Sequence, residues 1–156
     1  MSDIEKIVFT SITTIIGGSF VFVFGQLLLK RLIDPCTELR KEISKVRFTL
    51  SYFAPVINTP ISRTPESSEE AAKALRENSA NLFAFAELVP KSKFLRRLSF
   101  AALPEMENVI EAAKNLRTLS TFLHETGEKA SNSLELIFKI TTKIERLLLI
   151  DSEIET

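Results

Sequence analysis

The spacing of apolar and polar side chains divides the chain into one uninterrupted apolar run followed by four amphipathic stretches. No residue between Lys6 and Lys30 is charged. The run Ile7–Leu29 holds 14 strongly apolar residues, six uncharged polar ones (Thr10, Ser11, Thr13, Thr14, Ser19, Gln26) and three glycines. As a helix it reaches roughly 35 Å, enough to cross a ~30 Å hydrocarbon core with some tilt. On an insertion scale its apolar residues contribute about −4 to −8 kcal/mol, whereas one central Lys or Asp would cost roughly 3 kcal/mol. Serine and threonine hydroxyls can return to carbonyls one turn earlier, so they do not forbid insertion. Core helices of soluble proteins seldom exceed about 14 residues without a charge. A cleaved signal peptide fits less well, because the opening Met-Ser-Asp-Ile-Glu-Lys is not basic and no small-x-small site precedes Lys30. The pattern therefore predicts a single transmembrane helix.

Beyond it the period changes to that of half-buried helices. Asp34-Pro35 reads as an N-cap with proline at the first helical position, which predicts a new or kinked helix there. Cys36, Leu39, Ile43, Val46, Leu50 and Phe53 form its apolar stripe, and Pro55 and Pro60 end it in a loop over Asn58–Pro65. Ser67 with Glu70 suggests a capping box for a second helix. That helix presents Ala71, Leu75, Ser79, Leu82, Ala86 and Val89 and stops at Pro90. A third starts near Pro104-Glu105 and turns Val109, Ala112, Leu116, Leu119 and Leu123 inward, until Thr126-Gly127 breaks it. A fourth runs from about Ser131 to Ile150 through Leu134, Ile137, Thr141, Ile144 and Leu148. No stretch alternates with period two long enough to be a strand. The expected fold is all-α, one N-terminal transmembrane helix followed by an antiparallel bundle of about four helices.

Charge then assigns sides. Lys6 stands beside Asp3 and Glu5 before the span, while Lys30, Arg31, Arg40, Lys41, Lys45 and Arg47 follow it. The positive-inside rule places residues 1–6 outside, 7–29 in the membrane, the bundle 30–150 in the cytoplasm and an acidic tail, 151–156, at its end. In an antiparallel arrangement the residues after Val89 return towards the bilayer. There Lys91, Lys93, Arg96 and Arg97 alternate with Phe94, Leu95, Leu98 and Phe100, the composition of an interfacial helix. With Lys30 and Arg31 these four are the candidate membrane-surface contacts, each worth about 1 kcal/mol near anionic lipid. Within the span, Ser11, Thr14, Gly18 and Gly25 form a stripe of small side chains that would let two copies approach closely.

Composition narrows the chemistry. Twenty basic and twenty acidic residues cancel, so no global field argues for nucleic acid. Twelve Phe against one Tyr and no Trp suit lipid and core packing rather than a polar cleft. A single cysteine, Cys36, falls on an apolar stripe and reads as a small core residue. A carboxylate-bridged di-metal site needs Glu-x-x-His pairs, but the only histidine, His124, follows Thr121 by three. It fits better as a cation at a helix C-terminus, and Glu105, Glu107 and Glu111 fit the N-terminal end of the same helix. No phosphate-cradling glycine loop, nucleophile elbow or metal spacing is present. The expectations are no catalytic residue, no cofactor and no metal.

The stretch Phe24-Gly-Gln-Leu-Leu-Leu-Lys30 with Pro35, then Tyr52, Asn58-Thr-Pro60, Leu103-Pro104, Asn108-Val-Ile-Glu-Ala-Ala113 and Leu119-Ser120, resembles a widespread family of bacterial single-span membrane proteins. The resemblance implies an inner-membrane location and a helical cytoplasmic domain. It carries no active residues across. Together these readings point to a membrane-anchored interaction or scaffold protein, with the lipid bilayer, a cytoplasmic protein and further copies of itself as partners. The alternative is a small holin- or pore-like oligomer associating through its span, for which the lone Gln26 offers no water-lined path.

Overall fold

The computed structural model describes residues 3–59, 63–89, 103–125 and 132–150, and among them every regular element is a helix. The helices are α1 (Asp3–Leu28), α2 (Asp34–Tyr52), α3 (Ala54–Asn58), α4 (Pro65–Leu88), α5 (Met106–Phe122) and α6 (Leu134–Leu147).

Between α1 and α2 the helix does not stop. One wide π-type turn, Leu29–Ile33, carries it through, and Asp34 is itself helical with no side-chain cap. Of the new or kinked helix expected at Asp34-Pro35, the new start is overturned: one helix runs from Asp3 to Tyr52, about 75 Å long, with the wide turn as its irregularity. The physical reason lies in the proline. Pro35 has no N–H and its ring crowds the carbonyl four residues back. The turn before it widens, so the Asp34 N–H reaches back to the Leu29 carbonyl instead.

Pro55 likewise starts a helix rather than closing one. After Phe53 bends the chain, Pro55 occupies the first turn of α3, where a missing N–H costs nothing. The cap of α4 also differs from expectation by one turn. Thr64 is the N-cap, its hydroxyl accepting from the Ser67 N–H while the Ser67 hydroxyl accepts from the Thr64 N–H at 3.1 Å, with Pro65 following.

The core is one cluster assembled from α2 to α6, and α4 packs most extensively, against α5 on one side and α2 on the other. Small residues on both helices (Ala71, Ala72 and Ser79 facing Ala112, Ala113 and Ser120) are fully or nearly fully buried, and the Ser79 hydroxyl donates to the Ala113 carbonyl at 2.7 Å. Between α2 and α4, and between α4 and α5, the paired contacts run against the chain direction. Thr49 meets Asn78 and Glu42 meets Asn81; Glu69 meets His124 and Ser79 meets Ala113; Glu111 meets Lys143. The expected inward positions of α4 and α5 are all buried. On α6 the stripe is rotated: Ile137, Ile140, Ile144 and Leu148 are buried, Thr141 is half-buried and Leu134 is exposed. Helix α6 lies against α5 and the short α3, and that pair of neighbours selects Ile140 over Leu134.

Candidate functional site

Helix α1 is apolar and bare. None of its residues is buried, and Phe20 and Val21 are each 75% exposed. It is long and apolar enough to cross a membrane, whereas a core helix of the same composition would be covered by its neighbours. Its threonines behave as the sequence implied: Thr10, Thr13 and Thr14 donate their hydroxyls to the carbonyls of Lys6, Phe9 and Thr10 at 2.8–2.9 Å. These groups then demand nothing from the surrounding medium. Ser11, Thr14, Gly18 and Gly25 are exposed along the helix, and a Cβ built on Gly18 or Gly25 would meet no atom within 4 Å. Lys30 and Arg31 are exposed in the wide turn that ends the apolar stretch. Lys91, Lys93, Arg96 and Arg97, with the rest of the basic segment 91–100, lie outside the described residues.

About three turns beyond Arg31, on α2, the structure places a charge that the apolar stripe of that helix left out of the core. Glu42 is 4% exposed, and its carboxylate accepts from Lys45 Nζ at 2.5 Å and from the Asn81 amide at 3.2 Å. Glu42 follows Leu39 by three residues and precedes Val46 by four, on the flank of the same stripe, so its position was legible; its partner on α4 was not. The hydrogen bond to Glu42, reinforced by its charge, holds the Lys45 ammonium above its ordinary 10.5. Beside this pair Asn78 donates to Thr49 at 2.7 Å, also buried. Each polar group in the α2–α4 seam is matched across helices, which sets the register between them without creating an unpaired charge.

Arg63 holds the other end of the domain. Its Nε donates to the Val56 carbonyl at 2.7 Å, Nη2 to Ile57 at 2.8 Å and Nη1 to Phe122 at 3.2 Å. These carbonyls belong to the C-terminal ends of α3 and α5, where the dipole is negative and backbone acceptors run short of helical donors, although the Phe122 carbonyl also accepts from the Glu125 N–H at 3.2 Å. Burial pushes the guanidinium pKa down, with Glu125 opposing. Arg63 carried no sequence signal, since its acceptors are backbone atoms and one lies 59 residues away.

The remaining candidates take structural places. Cys36 is buried in the core. His124 lies just beyond α5 with Nε2 3.8 Å from Glu69. Glu111 pairs with Lys143 at 2.6 Å and ties α5 to α6. Among the described residues no three His, Cys, Asp or Glu side chains converge as metal ligands. Comparison with known protein families, with characterised proteins and with solved structures finds no match for this chain.

Proposed function

We propose that the protein is a membrane-anchored helical interaction module: α1 spans a bilayer, and α2 to α6 form an antiparallel helical bundle that presents binding surfaces to a protein partner. The observation that carries this reading is the uncovered apolar surface of α1 joined without a break to a packed polar-faced domain. Fourteen apolar side chains left in water would cost far more than a domain of this size can spare, at about 1.5–3 kcal/mol for each large apolar side chain. Lipid removes that cost. The basic residues from Lys30 to Arg47 favour a cytoplasmic face for the bundle by the positive-inside rule. The contacts that run against the chain direction between α2 and α4 and between α4 and α5 support the antiparallel arrangement. The open flank at Gly18 and Gly25 supports association of two copies through the span.

Alkaline carbonate extraction of the full chain tests the anchor. The protein should stay with the membrane pellet, and Val21→Lys with Phe22→Lys should release it, since two central lysines offset about 5–7 kcal/mol of insertion energy. Recovery of the unmodified chain in the carbonate supernatant refutes the reading.

A further inference from the structure

The pairings across the bundle set the height of each helix end above the apolar stretch of α1. Glu42 lies opposite Asn81 and Thr49 opposite Asn78, so the last turn of α4 stands level with Pro35 to Thr37. Ser79 lies opposite Ala113 and Glu69 opposite His124, which brings the first turn of α5 to the same height. On α6, Ser133 donates to Glu125 at 2.5 Å and Lys143 meets Glu111 at 2.6 Å, so its C-terminal end returns to this level as well. The end of the domain nearest α1 is thus built from the starts of α2 and α5 and the ends of α4 and α6.

Two leucines stand exposed there. Leu88, 62% exposed, closes α4, and Leu149, 48% exposed, follows α6. Leu149 also takes a φ of 57°, which costs a leucine roughly 1–2 kcal/mol, while the protein leaves about half of its surface uncovered. At 1.5 Å per residue, the end of α4 is about 10 Å above Leu29 and Leu149 about 10–15 Å. The headgroup layer fills about 5–8 Å of that distance. Transmembrane helices tilt by about 20° on average, and a tilt towards α4 and α6 lowers a point one or two helix widths aside by about 3–7 Å. That brings both leucines to the headgroup layer. Exposure alone does not select them: Phe48 is 66% exposed but stands about 28 Å beyond Leu29 along α2, out of reach of lipid. Nor does charge, since Asp34, Glu87, Glu105 and Glu107 stand at this end with Lys30, Arg31 and Arg146. The contact is apolar and calls for no anionic lipid.

We propose that Leu88 and Leu149 seat this end of the domain on the bilayer that α1 crosses, their side chains entering the headgroup layer of zwitterionic lipid. This rests on the anchored reading and adds to it a resting face for the domain. The test is fluorescence quenching of the full chain held at one copy per phosphatidylcholine nanodisc. A nitrobenzoxadiazole probe is attached in turn to Leu88→Cys, Leu149→Cys, Phe48→Cys and Val21→Cys; Cys36 is buried, so the unmodified chain is the labelling blank. Lipid with a nitroxide on its headgroup should quench positions 88 and 149 about threefold more than position 48, and aqueous iodide about threefold less. Equal iodide quenching at all three overturns the proposal. Protection from both quenchers overturns it in favour of another stretch of the chain over the leucines, and protection seen only with two copies per disc overturns it in favour of a second copy. Because the probe is itself apolar, a label at Arg146→Cys is compared with and without Leu88→Gln and Leu149→Gln. The pair should lower its quenching by lipid, and no change overturns the role of the leucines. Position 21 reports the anchor separately: a nitroxide deep in the acyl chains should quench it whatever the leucines do, and its failure overturns the anchored reading itself.

Discussion

Arg63 is expected to be among the largest single contributors to the stability of the helical domain, through three hydrogen bonds that all go to backbone carbonyls. Its guanidinium satisfies three backbone acceptors at the ends of two helices, two of them at 2.7 and 2.8 Å. A hydrogen bond involving a charged group contributes roughly 1.5–3 kcal/mol net. Partial burial of the guanidinium and entry of water to the freed carbonyls reduce the sum, so Arg63→Met, which keeps the apolar stem, should cost about 3 kcal/mol. For a domain of this length that corresponds to a fall of about 10 °C in Tm. Circular dichroism melts of the full chain in detergent micelles measure it. Arg63→Lys should recover a minor part, because an ammonium cannot reach three acceptors in a fork. The loss should persist in high salt, since dipolar partners at bonding distance are screened far less than exposed ion pairs. A melt for Arg63→Met within about 2 °C of the unmodified chain, or full rescue by lysine, would refute the clamp.

Three smaller effects follow from other local features. The side-chain amide nitrogen of Asn115 is buried without a hydrogen-bond partner, so Asn115→Leu should raise stability by about 1 kcal/mol in the same melts. Leu149 takes a φ of 57° after α6, where Ile150 N–H returns to Glu145 and Leu149 N–H to Arg146; Leu149→Gly should gain about 0.5–1 kcal/mol, and a loss would show that its side chain matters more than its backbone. Lys45 has a folded-state pKa raised by Glu42, so its contribution is complete below the ordinary 10.5 and disappears as pH rises through the higher folded value. Melts taken up to about pH 11 should show an alkaline decline that is smaller in Lys45→Gln, so that the gap between the two proteins is widest near neutrality and narrows as pH rises.

The apolar period foretold most of the architecture because helix burial repeats in sequence. Every expected inward residue of α4 and α5 is buried, as are Cys36, Leu39, Val46, Leu50 and Phe53 of α2, which share the core with Glu42. On α6, Leu134, Leu136, Phe138 and Ile140 are all apolar, and more than one stripe satisfies the period. The choice among them was made by α5 and α3, which no local count contains. Capping erred by one turn because Thr64-Pro65 and Ser67-Glu70 are both plausible starts, and proline at the first helical position favours the earlier one. The open groove that Arg76 and Arg117 line between α4 and α5 was invisible for a different reason: the two arginines come together only after two helices have packed. The apolar period does not report which exposed polar residues meet across helices, so that surface was the least legible part.

The unbroken passage from α1 into α2 gives the anchor a mechanical consequence. A flexible linker would let a tethered domain sample all orientations and present any face to its surroundings. Here the residues that prefer lipid and the residues that build the core share one helix, and the only irregularity between them is the turn Leu29–Ile33. Each residue of helix carries about 100° of rotation, so the register across that turn decides which flank of α2, and hence of the whole packed domain, faces along the membrane. Pro35 holds the turn wide, because a regular turn there would press its ring on the carbonyl four residues earlier. In the anchored reading, then, proline does not uncouple the span from the domain. It selects one rotational setting between them, so that a change of register across the turn would rotate the packed domain about the axis of α1.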